Sequence, residues 1–251
     1  MGQKVKQLLP GLTSYRFGEP GDRAGREVIA FKGPVGPEAK EALEVTVGIN
    51  AIVKERHLLT HPFYVKWSQG KVTLDTLREY SKQYYHYEKA LPGFLTAAMD
   101  HIDDESARSA VNEVFIDESS NPRPHAEMWL DFAAGLGVSE AEVKNSTPSC
   151  QTKNLVETYT SLCNRGQEEA IGALYAYESQ QPEVAQTKAD GLIAHYGVNS
   201  TPALAFFKLH AVLDIQHAKA LRGALVDSEL GRESAHLALD AWWGMLDQFN
   251  H

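Results

Sequence analysis

The chain has 251 residues, 43% hydrophobic and 23% charged, the balance of a soluble globular protein with enough chain for a sizeable core. A formal net charge of −9 leaves no basic excess to neutralise phosphates, which excludes nucleic acid as the main partner. No apolar run reaches the roughly 20 residues of a membrane span, and the two cysteines, Cys150 and Cys163, stand in no metal-binding spacing, so reduced thiols in a cytoplasmic protein are expected.

The opening MGQKVKQLLPG lacks an apolar signal core, and the protein is expected to stay where it is made. Glycines and prolines, from Pro10 and Gly11 to Gly36 and Pro37, interrupt every candidate helix over residues 1–40. That stretch reads as a loosely packed N-terminal extension with one short strand at Glu27–Phe31. Residues 41–251 read as one helical domain. A first helix spans Ala39–Leu58. Pro62 and Gly70 then bracket an aromatic turn carrying Phe63, Tyr64 and Trp67.

Thr73 caps a long helix, Leu74–Asp100, with Leu77, Tyr80, Tyr84, Tyr87, Leu91, Phe94 and Leu95 on its apolar side and a kink expected at Pro92. Further helices are expected over Ser106–Glu118, from His125 to Gly135 or Gly137, over Leu155–Asn164 and over Gln167–Gln181. The last three run over Pro182–Tyr196, Thr201–Leu225 and Ser228–Phe249. About nine helices with almost no strand signal and no repeat of 20 to 50 residues give an all-α bundle.

Chemistry concentrates in the run Thr201–Leu225, which reads as one buried helix. Offsets of four and seven place His210, Asp214 and His217 within about 60° of one another, flanked by Leu213, Ile215, Ala218 and Leu221. Unpaired charge on an apolar stripe costs several kcal/mol. A divalent ion would offset that cost, since imidazole and carboxylate together suit iron, manganese or zinc. The ordinary alternative is a polar stripe hydrogen-bonded to neighbouring helices. A bundle can draw more ligands from facing helices. Glu178 sits among Ile171, Leu174, Tyr175 and Ala176, an odd place for a carboxylate, and Glu118 and His125 lie seven apart across a proline-containing break. Three imidazoles and three carboxylates would suffice for two ions.

These same motifs carry a resemblance: Glu118-x6-His125 leading into MWLDFAAGLG, ALYAYESQQP around Glu178, and HAVLDIQH. From about His57 to the C-terminus the chain resembles the family of the chlamydial protein associating with death domains, dimetal oxidases with a haem-oxygenase-like helical fold that hold no haem. The resemblance implies that Glu118, His125, Glu178, His210, Asp214 and His217 bind two divalent ions, iron or an iron–manganese pair. O2 would be the co-substrate and an external reductant the electron donor. It also implies synthesis of para-aminobenzoate for folate, with Tyr64 as ring donor, Tyr80 as a second tyrosine near the site and Lys188 as amino donor, in a homodimer. The chain departs from the family in its 40 extra N-terminal residues and in the two prolines between Glu118 and His125.

Two other readings stand beside this one. A cofactorless oxidase similar to pyrroloquinoline-quinone synthase would need a cationic pocket, and the chain shows no Arg/Lys cluster on its pocket helices. A non-enzymatic interaction protein would have no need of six buried ligands. A thiamin-hydrolysing relative would need a nucleophilic cysteine, which neither Cys150 nor Cys163 is placed to be.

Overall fold

The computed structural model describes the backbone of residues 7–9, 12–17 and 26–31, and residues 48–250 except 121 and 227. The chain divides into two units, Met1–Leu43 and Glu44–His251. The first carries β1 (Gln7–Leu9), β2 (Leu12–Phe17) and β3 (Arg26–Phe31) in an antiparallel sheet of that order. Leu12 pairs with Phe31 and Phe17 with Arg26, so the strand expected at Glu27–Phe31 is present and two more pair alongside it.

The second unit is helical. Of the helix expected over Ala39–Leu58, α1 runs over 48–55 and ends short of Leu58, which instead opens a 3-10 turn; residues 39–47 lie outside the described residues. A 3-10 turn at Leu58–Thr60 leads into α2 (Pro62–Ser68) and α3 (Leu74–Asp100). Then come α4 (Glu105–Ser120), α5 (His125–Gly135), α6 (Glu140–Lys144), α7 (Cys150–Cys163) and α8 (Gln167–Glu178). The last three are α9 (Gln181–His195), α10 (Thr201–Gly223) and α11 (Glu229–Asp247).

The local signals act as their chemistry requires. The Thr73 side chain accepts from Thr76 N–H at the head of α3, and Ser139 and Glu142 form a capping box at α6, each satisfying donors that a helix start leaves unpaired. Helix α3 continues through Pro92, which lacks the N–H that would bond the Glu88 carbonyl one turn back.

Helix α8 is buried from Ala170 to Glu178. Its sequence therefore has no polar stripe, as suits a helix enclosed on all sides. It crosses α11 where a Cβ on Gly172 would lie 2.4 Å from the Gly231 carbonyl oxygen, so only glycine permits that approach. Helix α10 packs against α4, α5, α8 and α9, with Ala203, Leu204, Phe206, Phe207, His210, Asp214, His217 and Leu221 turned inward.

One expectation is corrected here. Helix α10 is buried on one face only: Val212 and Ile215 are 67% and 58% exposed. Ile215 lies about 140° around the helix from His210, outside the stripe it was expected to flank. Leu237 of α11 is also exposed.

Candidate metal centre

Four helices converge on the polar interior. Glu118 lies in the last turn of α4, His125 opens α5, Glu178 ends α8, and α10 supplies His210, Asp214 and His217. All six are buried. They form two groups, Glu118–His125–His210 and Glu178–Asp214–His217, and within each one donor atom per residue lies within 4.8 Å of the others.

In the first group His125 Nδ1 is 2.8 Å from Glu118 Oε2 and His210 Nε2 is 3.4 Å from Glu118 Oε1. His125 thus lies against Glu118 even though two prolines stand between them in the chain. In the second, His217 Nδ1 is 3.3 Å from Asp214 Oδ1 and 3.6 Å from Glu178 Oε2.

Carboxyl groups and imidazoles set one another's protonation in this centre. Glu88, Glu118, Glu178 and Asp214 place four carboxyl groups in the interior, where an uncompensated charge costs several kcal/mol. Burial and the nearby Asp214 push the Glu178 carboxyl up to about 7. Burial pushes the Glu118 carboxyl up, but hydrogen bonds from His125 and His210 outweigh it and hold the group below the usual carboxylate range. The imidazoles respond in kind. Burial favours neutral rings, yet Asp214 and Glu118 raise His210 to about 10, and Asp214 and Glu178 raise His217 to about 11.

Both oxygens of Asp214, Oε2 of Glu178 and Nδ1 of His217 are buried without a hydrogen-bond partner. Such atoms are rare in folded proteins and call for an explanation. Two divalent cations fit: the donor set is imidazole and carboxylate, the atoms without hydrogen-bond partners converge, and the protons that balance the carboxylates in the metal-free centre are ones a cation can displace.

Beside the centre lies an aromatic chamber. His61 sets the start of α2: its Nδ1 accepts from Phe63 N–H at 3.1 Å, and Nε2–H donates to Asp247 at 3.0 Å. The turn that follows buries Phe63, Tyr64 and Trp67. The Tyr64 and Tyr80 hydroxyls are 2.9 Å apart, and Tyr84 bonds Tyr177, the residue before Glu178.

Lys188 of α9 is 1% exposed. Its Nζ lies 4.4 Å from the Tyr84 ring centre, 5.3 Å from that of Tyr64 and 5.7 Å from that of Tyr80. Burial lowers its pKa to about 7 despite Glu88 and Asp214. The Tyr64 phenol, also buried, is raised above its ordinary value. At neutral pH a large share of Lys188 is therefore free amine beside a protonated phenol. Cys163 is unsuited to nucleophilic work, since burial pushes its thiol up to about 12, and Cys150 is exposed.

Sequence reasoning overlooked Glu88 and Asp117. Glu88 on α3 is buried, with Oε2 unpartnered, and burial with Glu118 nearby raises its pKa well above the carboxylate value. Its signal was present: it falls four residues after Tyr84 and three before Leu91, on the apolar face, as Glu178 does in its own helix. Asp117 offers no such signal, being one acidic residue among several on α4.

Residues 78–248 match the model of a family described as iron-containing redox enzymes, a span that takes in all six residues of the two groups and Lys188. The chain belongs to this family. A 4-aminobenzoate synthase of Chlamydia muridarum is 35% identical over 80% of this chain and 88% of its own length. One of Nitrosomonas europaea is 33% identical over 79% and 88%. A Shewanella denitrificans domain with a heme oxygenase-like fold superposes with a TM-score of 0.61 at 19% identity, covering 84% of this chain and 91% of that one. Like its family, the chain is an oxidoreductase enzyme with a haem-oxygenase-like helical fold. No helix among the described residues is long and apolar enough to cross a membrane.

Proposed function

We propose that the protein makes 4-aminobenzoate from its own side chains, with Tyr64 giving the ring and Lys188 the amino group. The observation that carries this reading is the Lys188 amine at the Tyr64 ring, both buried among aromatic side chains, in a chain related to enzymes named 4-aminobenzoate synthase.

A phenol already has an aromatic ring with a heteroatom at the para position. Conversion requires cleavage between Cα and Cβ, oxidation of Cβ to a carboxylate, and exchange of oxygen for nitrogen: the ring oxygen leaves as water, and oxidation of Lys188 Cε at the expense of O2, then hydrolysis, breaks the Cε–Nζ bond and leaves an aldehyde on the chain. Glu118, His125 and His210 would hold one ion, and Glu178, Asp214 and His217 the other. Two iron ions, or iron with manganese, would supply the redox capacity for using O2 with an external reductant.

The chain's own residues do the rest. Tyr80 holds the Tyr64 hydroxyl at 2.9 Å and fixes the direction of that ring. Phe63, Trp67 and Phe249 pack around the Tyr64–Tyr80 pair and keep water from the reacting carbon. The chamber holds Lys188 near pKa 7, so its nitrogen keeps a lone pair for attack on the oxidised ring. A cofactorless oxidase or an interaction protein would have no use for four buried carboxyl groups. The reading also takes an electron-donor partner and a homodimer.

Product counting tests it. Metal-supplemented full-length protein given O2 and reductant should release at most one 4-aminobenzoate per chain and then stop. Tyr64→Phe and Lys188→Arg should each abolish release and keep the metals, whereas Cys150→Ser should change nothing. Many turnovers on an added substrate would overturn the reading.

A further inference from the structure

Consecutive residues of α4 face different parts of the centre. Glu118 lies between His125 and His210. Asp117, about 100° around the helix, reaches the outer edge of the other group, with Oδ2 3.0 Å from His217 Nε2. From this geometry we infer that Asp117 is a positioning residue: it fixes His217 as an Nδ1 ligand and strengthens the Glu178–Asp214–His217 ion selectively. The inference rests on the dimetal reading of the site.

An ionised carboxylate only accepts hydrogen bonds, so Nε2 must carry the proton of that contact. The imidazole lone pair is thereby confined to Nδ1, the atom that faces Asp214 and Glu178. A carboxylate behind a ligating imidazole fixes its ring, selects its tautomer and increases its basicity.

The two groups differ in this respect. His210 donates from Nδ1 at 2.8 Å to the Phe206 carbonyl of its own helix, a neutral acceptor that any residue at position 206 would provide. Only His217 is backed by a charged side chain among these two. The Asp117 carboxylate is 19% exposed and the ring 2%, so the pair spans the edge of the core, and substitution at 117 leaves the buried donors in place. Asp117 contributes no ligand atom to either group. Its effect should therefore appear at one ion and not at both.

Stepwise Mn2+ binding to the full-length chain, measured against a competing chelator, tests this. The wild-type chain should show two constants. Asp117→Ala should weaken one of them about 10- to 100-fold and leave the other unchanged. Asp117→Asn should lie between, because its amide oxygen still accepts from Nε2–H. In a Glu178→Gln background, where that ion is already compromised, Asp117→Ala should add little. If Asp117→Ala does not fold, one-sided weakening in Asp117→Asn supports the inference, and wild-type binding by Asp117→Asn overturns it. Equal loss at both ions, undiminished binding by Asp117→Ala, or an Asn variant no better than Ala would also overturn it. A wild-type chain that takes up no Mn2+ or Fe2+ would instead overturn the dimetal reading itself.

Discussion

The Lys188 side-chain nitrogen stands 5.3 Å from the centre of the Tyr64 ring, among aromatic side chains. A lysine kept for structure would gain most from an ion pair. This one is enclosed by the rings of Tyr64, Tyr80, Tyr84, Trp129 and Phe207, and its pKa falls to about 7 through burial. Cation–π attraction offsets part of the desolvation cost. The remainder is a burden on stability that function would have to justify.

That burden is measurable. Below pH 7 Lys188 is protonated in both folded and unfolded chains, and the cost of burying the charge is fully present. Between pH 7 and about 10.5 the unfolded chain holds the proton and the folded chain does not, so stability rises with pH, by at most about 1.4 kcal/mol per unit from this group. Lys188→Met should thus stabilise the metal-free protein at pH 6, and its advantage should shrink by pH 9. Urea unfolding at the two pH values checks this. An advantage independent of pH would mean that Lys188 does not titrate in this range.

Metal uptake should release protons. His210 and His217 are raised to about 10 and 11, so the metal-free centre holds protons at neutral pH that ligation displaces. Affinity should rise between pH 6 and 8, and titration in weakly buffered solution should show acidification. The same two rings stabilise the metal-free fold from below their ordinary pKa of 6.5, and that contribution is lost as pH passes 10 to 11. The metal-free protein should accordingly lose stability at high pH. Binding that is independent of pH would contradict the protonated-ligand picture.

At saturation with 100 times the dissociation constant, each ion should add about 2.7 kcal/mol to stability. Glu178→Ala should remove one such increment while leaving the metal-free protein little changed or more stable, because a buried carboxylate without a cation is a burden. Thermal unfolding with and without metal separates the cases. Equal destabilisation of both forms would mark Glu178 as a structural residue.

Much of this site was legible in the sequence for a definite reason. His210, Asp214 and His217 share one helix, so their spacing alone fixes their common face, and Glu178 is conspicuous among the buried side chains of α8. Glu118 and His125 needed the family motif, because the break holding Pro122 and Pro124 defeats periodicity. Helix ends were readable where a cap exists, as at Thr73, and less so where α8 runs into α9 at Gln180. Asp117 was invisible, since its role depends on which way the His217 ring turns. Ile215 was misread by treating an apolar neighbour in sequence as a neighbour on the helix surface.

The close approach of α9 to α2 offers a local test. Gly191 lets the Trp67 indole lie against the α9 backbone, where a Cβ would meet the ring at 2.6 Å, and Trp67 Nε1–H donates to the Lys188 carbonyl at 3.2 Å. Gly191→Ala should destabilise the protein by about 1–3 kcal/mol through overpacking. It should also impair product release more than metal binding, since Trp67 ties Tyr64's helix to Lys188's. Unchanged stability would show that the indole has room to move.

Isotope labelling addresses the source of the product directly. Protein from cells fed ring-labelled tyrosine, then loaded with iron and given O2 and a reductant, should release 4-aminobenzoate carrying the ring label, in an amount no greater than the number of chains. Tyr64→Phe should release none. Unlabelled product, or label released as freely by Tyr64→Phe, would contradict the claim that this protein consumes Tyr64.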